Sequence, residues 1–146
     1  MNILEINNLV KDFGGLRAVD TLSLSIEEGE ILGMIGPNGA GKSTAFNCIA
    51  GVYAPTKGNV YFAGKKINGV KPWNLCKKGL ARTFQIVKPF RSKSVLYNVM
   101  VGSFVTTDKT VVAEEKAMNV LKILSFENKK DERAGNLTIA ELKRLE

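Results

Sequence analysis

The sequence predicts a mixed α/β fold, and three stretches of it carry that reading. Thr21-Leu22-Ser23-Leu24-Ser25-Ile26 alternates apolar and polar residues strictly, the period of a strand with one buried face. Ile31-Leu32-Gly33-Met34-Ile35 is a short, nearly unbroken apolar run of the kind found in strands covered on both faces, and it leads straight into a glycine cluster. Residues 111–124 repeat apolar side chains at helical spacing.

In chain order, residues 3–10 mix apolar and polar side chains at strand length and precede the alternating run, and Glu27-Glu28-Gly29 reads as the turn after it. The apolar run at 31–35, the glycine cluster and a helix at 45–50 then follow as strand, loop and helix. Gly51 suits a left-handed helix stop, and Pro55-Thr56-Lys57-Gly58 is a turn into a strand at 59–62, with a second turn at Gly64. Residues 72–78 are helical, with Pro72 in the first turn, and 80–84 read as a further strand. Ser94 caps a helix through Val101. Thr138 and Glu141 have the spacing of a capping box at the start of the last helix.

The 146 residues are the length of one ordinary domain, and 45% hydrophobic with 24% charged residues is the balance of a soluble globular chain. No apolar run approaches the 18 or so residues of a membrane span. The amino terminus lacks the basic start and apolar core of a signal peptide, and Cys48 and Cys76 lie far apart without metal-ligand spacing, so a reducing cytoplasm is expected. There is no histidine, which removes the usual general base and every Ser-His or Cys-His nucleophile pair.

The net charge of +7 is uneven. Residues 31–107 hold eleven basic side chains and no carboxylate, so no acid that binds a metal or activates water comes from this stretch. A solvated surface, a polyphosphate ligand, an anionic membrane and nucleic acid all suit such a charge, which does not choose among them.

Gly36-Pro37-Asn38-Gly39-Ala40-Gly41-Lys42-Ser43 matches G-x-x-x-x-G-K-[ST] between the apolar run and the helix, the context that a phosphate-binding loop requires. Glycines let successive N–H groups point inward where a side chain would collide, and the helix that follows offers its positive end to an anion. Lys42 has the reach and the point charge for β- and γ-phosphates, and the Ser43 hydroxyl is a hard oxygen ligand for Mg2+. The dinucleotide fingerprint is not met, because no glycine stands three residues after Gly41.

With that loop placed, the chain resembles the nucleotide-binding subunit of an ABC transporter, and specifically the LivG type of the branched-chain amino acid importers. The resemblance rests on Phe13-Gly14-Gly15-Leu16 with Ala18-Val19, Gly29-Glu30-Ile31, the loop through Thr44, Phe46-Asn47, Gly51, Gly79-Leu80-Ala81-Arg82-Thr83-Phe84-Gln85, Phe90, Val95 and Asn98-Val99. It implies an α/β P-loop NTPase core with an antiparallel β subdomain and the start of a helical subdomain. It also implies ATP and Mg2+ as cofactors, with Gly36, Pro37, Asn38, Gly39, Ala40, Gly41, Lys42, Ser43 and Thr44 cradling phosphate. By the same resemblance Phe13 stacks on adenine, and Gln85, with Ser43, contacts the metal and the attacking water. Lys42 and Gln85 are thereby the residues closest to the chemistry.

The family's signature, Leu-Ser-Gly-Gly-Gln, aligns with Leu137-Thr138-Ile139-Ala140-Glu141, which keeps a hydroxyl at Thr138 and loses both glycines, one of them to Ala140. The family's Asp-Glu strand and later histidine are not in the sequence. The chain therefore reads as the amino-terminal part of a longer nucleotide-binding domain, residues 1–146, ending inside the signature helix. By itself it is expected to bind nucleotide without turning it over.

For the intact protein the resemblance implies an ATPase on the cytoplasmic face of the plasma membrane. Its partners would be two permease subunits and a second nucleotide-binding subunit, with no direct contact with the solute. An ABC-type ATPase acting on nucleic acid or ribosomes accounts for the basic middle equally well, although nucleic acid is not the expected partner. A soluble P-loop kinase would need a lid and its own carboxylates after the loop, and Ala81-Arg82-Thr83-Phe84-Gln85 speaks against it.

Overall fold

The computed structural model describes residues 2–146. The chain forms two compact units, Met1–Ala81 and Arg82–Glu146.

In the first unit β1 (Asn2–Phe13) and β2 (Leu16–Glu27) make a long antiparallel hairpin, extended by β3 (Lys57–Phe62) and the two-residue β4 (Lys65–Lys66). The sheet order is β2-β1-β3-β4, antiparallel throughout. The strict alternation of β2 is realised, with Leu22, Leu24 and Ile26 half-buried and Ser23 and Ser25 exposed. In β1 the period breaks, because Leu4 and Ile6 are buried and so are the adjacent Leu9 and Val10. A register shift between Ile6 and Leu9 accommodates the extra residue, with Asn8 at φ 50°. The Asn8 N–H donates to Ser23 Oγ at 2.8 Å, replacing the ladder bond that the bulge removes.

Leu4, Ile6, Leu9 and Val60 of this sheet share one core with Ala45 and Cys48 of α1 (Lys42–Ile49) and with Leu75 of α2 (Pro72–Cys76). Helix α1 is therefore anchored on the antiparallel sheet by its buried face, which fixes the direction of its amino-terminal end. Burial pushes the Cys48 thiol up, against the opposing pull of Lys11. At the other end of α1, Val52 N–H donates to the Asn47 carbonyl at 2.9 Å and Gly51 N–H to that of Cys48 at 3.3 Å. With Gly51 at φ 73°, these two bonds form a Schellman stop.

Two expected strands are not formed. Residues 31–35 and 80–84 carry no strand structure, and Ile31 and Ile35 are 98% and 97% exposed. An apolar run becomes a strand covered on both faces only through lateral hydrogen-bonding partners and a helix on each side. Among the described residues every strand belongs to the antiparallel sheet, and none lies alongside residues 31–35.

The second unit contains α3 (Val95–Ser103), α4 (Thr110–Ile123) and α5 (Ile139–Leu145), with short 3-10 turns at Glu127–Lys129 and Ala134–Asn136. Its core gathers Val95, Leu121, Phe126, Leu137 and Leu142. Ser94 caps α3 as its position suggests, accepting the Tyr97 N–H at 3.1 Å. Thr138 and Glu141 complete the capping box of α5, since Thr138 Oγ1 accepts the Glu141 N–H and the Glu141 carboxylate accepts the Thr138 N–H. Thr138→Ala is expected to lower stability by about 1 kcal/mol, measured as a shifted urea midpoint at constant slope. Among the described residues no helix is long and apolar enough to cross a membrane.

Candidate phosphate-binding site

Residues 36–41 form a loop, exposed from Gly36 to Ala40 and half-buried at Gly41, that enters α1 directly at Lys42. Gly39 and Gly41 take φ values of 85° and 81°, a region that costs an L residue about 1–2 kcal/mol. They differ in their surroundings. A Cβ on Gly39 would meet nothing within 4 Å, whereas one on Gly41 would overlap the Ala18 carbonyl oxygen on β2 and lie 3.4 Å from Val19 Cγ2. Gly41 is thus needed for the packing of the loop against the sheet as well as for its backbone angle, a reason the motif alone does not disclose.

The turn is arranged to leave donors unspent. Ala40 N–H donates to the Pro37 carbonyl at 3.3 Å, and Ala45 N–H closes the first helical bond to Gly41 at 2.8 Å. Among the described residues the N–H groups of Gly39, Gly41, Lys42, Ser43 and Thr44 have no protein acceptor, and no side chain caps α1. Five backbone donors at the positive end of a helix suit a polyphosphate. The Lys42 ammonium folds back on the loop, donating to the carbonyls of Gly36 and Pro37, the latter at 2.7 Å. Those two carbonyls hold the cation beside the cradle until a stronger anionic acceptor competes for it. The Ser43 hydroxyl is exposed and without a hydrogen bond among the described residues, so an oxygen donor suited to Mg2+ is available at the helix start. Among the described residues no group of three or more Cys, Asp or Glu side chains could hold a metal.

Beside the loop lies a cavity of about 470 Å3, bordered by Gly39–Lys42 on one side and by Arg17, Val19 and Asp20 of β2 on the other. Arg17 is a residue that the motifs did not single out. Its guanidinium reaches Asp12 and Asp20, both at 3.1 Å, and the Asp12 bond and charge, followed by those of Asp20, raise its pKa further. It braces the end of the hairpin that carries Phe13. Phe13 is 41% exposed, edge-on to Tyr53 with ring centroids 5.1 Å apart, and the Lys11 ammonium stands 4.9 Å from its ring centre. A partly exposed ring followed by Gly14-Gly15 can accept a planar partner on its open side.

Gln85 lies in the second unit, exposed, at a bend in a segment without helix or strand. In the same unit the signature-like residues Thr138 and Ala140 are exposed at the start of α5. The Thr138 hydroxyl is already engaged, donating to the Glu141 carboxylate at 2.9 Å. That carboxylate is also paired with Lys129, so its charge is neutralised locally. Lys129, followed by the two Thr138 bonds, pulls Glu141 from an ordinary 4.5 down to about 2. Its contribution to stability is therefore fully present above about pH 4.5 and is lost as pH falls towards 2, because the unfolded chain takes up the proton first. Denaturation curves of the protein and of Glu141→Gln are expected to differ at pH 6 and to converge near pH 2.

The family model described as ABC transporter matches residues 19–146. The chain belongs to the ABC transporter family. Within it, a probable branched-chain amino acid transport ATP-binding protein LivG of Archaeoglobus fulgidus is 35% identical over 160 residues, covering all of this chain and 62% of the relative. The high-affinity branched-chain amino acid transport ATP-binding protein BraF of Pseudomonas aeruginosa is 44% identical over 100 residues, 68% of this chain and 39% of the relative. Among solved structures, the ADP conformation of an ATP-binding cassette of an ABC transporter superposes with a TM-score of 0.86 at 34% identity, over 99% of this chain and 62% of that one. The chain thus spans about three fifths of the length of such ABC transporter relatives. The α/β architecture with its antiparallel sheet is that of the ABC cassettes.

Proposed function

We propose that this chain is the ATP-binding, amino-terminal part of the nucleotide-binding subunit of an ABC importer. In the intact protein, ATP binding and hydrolysis would drive uptake of branched-chain amino acids or a related small solute. The observation that carries this reading is the set of N–H groups of Gly39, Gly41, Lys42, Ser43 and Thr44, unpaired among the described residues, beside a lysine that only loop carbonyls retain.

In this reading the backbone of Gly36, Pro37, Asn38, Gly39, Ala40 and Gly41 and the donors of Lys42, Ser43 and Thr44 hold the phosphates of ATP. Ser43 would be a ligand of Mg2+, which supplies charge neutralisation at the phosphates when bound; Gln85 is assigned as a metal ligand by the family resemblance alone, and Phe13 would stack on the base. Lys42 passes from the Gly36 and Pro37 carbonyls to phosphate oxygens, exchanging neutral acceptors for charged ones. Thr138 and Ala140 stand in the signature position as a weakened half-site, since the hydroxyl is spent on Glu141 and Ala140 carries a Cβ where backbone would approach phosphate.

The apolar run at 31–35 is assigned to a central parallel sheet whose other strands come from the part of the protein that the relatives have and this chain does not span. Exposed Phe84, Ile86 and Phe90 border a hollow of about 410 Å3 in the second unit, and a permease segment is assigned to it. The protein would then sit on the cytoplasmic face of the membrane, paired with a second nucleotide-binding subunit. These relatives are named as amino acid transport proteins, which favours import over action on nucleic acid or a kinase reaction.

A titration of residues 1–146 with a fluorescent ATP analogue and Mg2+ tests this. Saturable binding without phosphate release is expected. No binding, or sustained hydrolysis that Lys42→Ala abolishes, would overturn it.

A further inference from the structure

The segment that carries Gln85 is free in its middle and held at both ends by side chains. Among the described residues the backbone groups of residues 85–89 make no hydrogen bond. On one side of this arc the Phe84 N–H donates to Glu146 Oε1 at 2.6 Å, and the Phe84 carbonyl accepts from the Lys143 ammonium. Lys143 is itself paired with Glu146 at 2.9 Å, and the Arg82 guanidinium lies 4.9 Å from the centre of the Phe84 ring. On the other side a single amide does the same for Phe90. The Phe90 N–H donates to Asn98 Oδ1 at 2.8 Å, and Asn98 Nδ2 donates to the carbonyls of Phe90 at 3.3 Å and Ser94 at 2.8 Å.

Both backbone groups of Phe84 are therefore satisfied by Lys143 on α5 and by Glu146 just past its end, and both of Phe90 by Asn98 on α3, with the Lys93 N–H also donating to the Phe90 carbonyl at 2.9 Å. The charged pair matters more than the amide, because bonds to ionised groups are stronger than neutral ones. The Glu146 carboxylate is held below its ordinary pKa first by the Phe84 N–H and then by Lys143, in keeping with a bonded anion.

We propose that Lys143 and Glu146 on one side and Asn98 on the other are positioning residues, which clamp Phe84 and Phe90 and so set where Gln85 stands. This rests on the reading of Gln85 given above for its catalytic meaning, but not for its structural content. The clamp ties the loop to α5, the helix that begins at the signature-like Thr138, so a displacement of α5 is carried to Gln85 through two side chains. It also explains why the arc can be free of backbone bonds and still have one path, since each foot is fixed in both its donor and its acceptor.

Amide hydrogen exchange and the backbone amide resonance of Gln85 test the clamp without any need for activity. Glu146→Leu is expected to speed exchange at Phe84 about tenfold or more and to shift the Gln85 resonance, with amides of α4 such as Ala117 unchanged. Asn98→Leu should do the same at Phe90. Glu146→Gln keeps an acceptor for the Phe84 N–H at nearly the same size, so it should preserve the fold and restore most of the protection. Phe84 exchange that is the same in Glu146→Leu, Glu146→Gln and the unsubstituted chain would overturn the proposal. So would a Glu146→Leu effect spread evenly over α4, because that is general loosening.

In the intact protein the clamp variants should lower kcat about tenfold at unchanged ATP affinity. A loss of affinity equal to the loss of kcat would remove the positioning role. An intact protein without ATPase activity would instead refute the functional reading, while the exchange data still decide the clamp.

Discussion

Lys42→Ala is expected to weaken ATP binding by roughly 10- to 100-fold, the loss that about 1.5–3 kcal/mol of charge-assisted hydrogen bonding represents. Titration with a fluorescent nucleotide analogue at fixed salt reads it directly. Folding stability should hardly change, since the ammonium now bonds only to the loop carbonyls of Gly36 and Pro37 and has no ion pair among the described residues. Loss of affinity at constant stability separates a ligand contact from a structural one. Lys42→Arg should recover little, because a planar guanidinium does not fit where a compact ammonium sits between two adjacent carbonyls. Unchanged affinity in the alanine variant would refute the role given to Lys42.

Gly41→Ala is expected to be the most destabilising single change in the loop, at about 2–5 kcal/mol. A left-handed backbone angle accounts for roughly 1–2 kcal/mol of this, and forcing a methyl into a packed site accounts for a further 1–3 kcal/mol. The added Cβ overlaps the Ala18 carbonyl oxygen, which belongs to β2 and cannot swing aside as a flexible side chain would. Gly39→Ala is the informative companion. Its φ is equally positive, but a Cβ there meets nothing within 4 Å, so only the backbone cost of about 1–2 kcal/mol remains. Urea denaturation of the two variants should therefore rank Gly41→Ala well below Gly39→Ala. Nucleotide titration should show Gly39→Ala losing affinity while it stays folded, because its methyl would occupy the side from which phosphate approaches. Equal stability of the two variants would show that the contact with Ala18 carries no weight.

The hairpin, α1 and the caps were legible because each is written in local chemistry. Alternation in 21–26, Gly51 after α1, Pro72 opening α2, Ser94 before α3 and the Thr138–Glu141 pair all state their geometry within a few residues. The glycine loop leading into α1 was legible for the same reason, since its spacing, a lysine and a hydroxyl stand together in eight residues. What did not follow from the residues was the fate of 31–35 and 80–84. Their composition suits strands, but strand formation is settled by neighbours distant in sequence, and the described sheet offers none. The bulge in β1 was also hidden, because Asn7-Asn8 looks polar in either register and only the pairing with β2 and β3 exposes the extra residue.

By itself the sequence determined a glycine-spaced loop at a helix start, a cradle of backbone groups suited to an anion with several phosphates. It determined as well where helices start and stop, which is governed by side chains next to the ends. Only the tertiary structure decided that Gly41 is held to β2, that Arg17 braces the hairpin below Phe13, and that Lys143, Glu146 and Asn98 hold the feet of the Gln85 segment. The contacts at Gly41, Glu146 and Lys143 join residues separated by 20 to 60 positions or so, and Asn98 meets Phe90 only once α3 has formed beside the loop. Such distances close only when the chain has folded, and no local pattern records them.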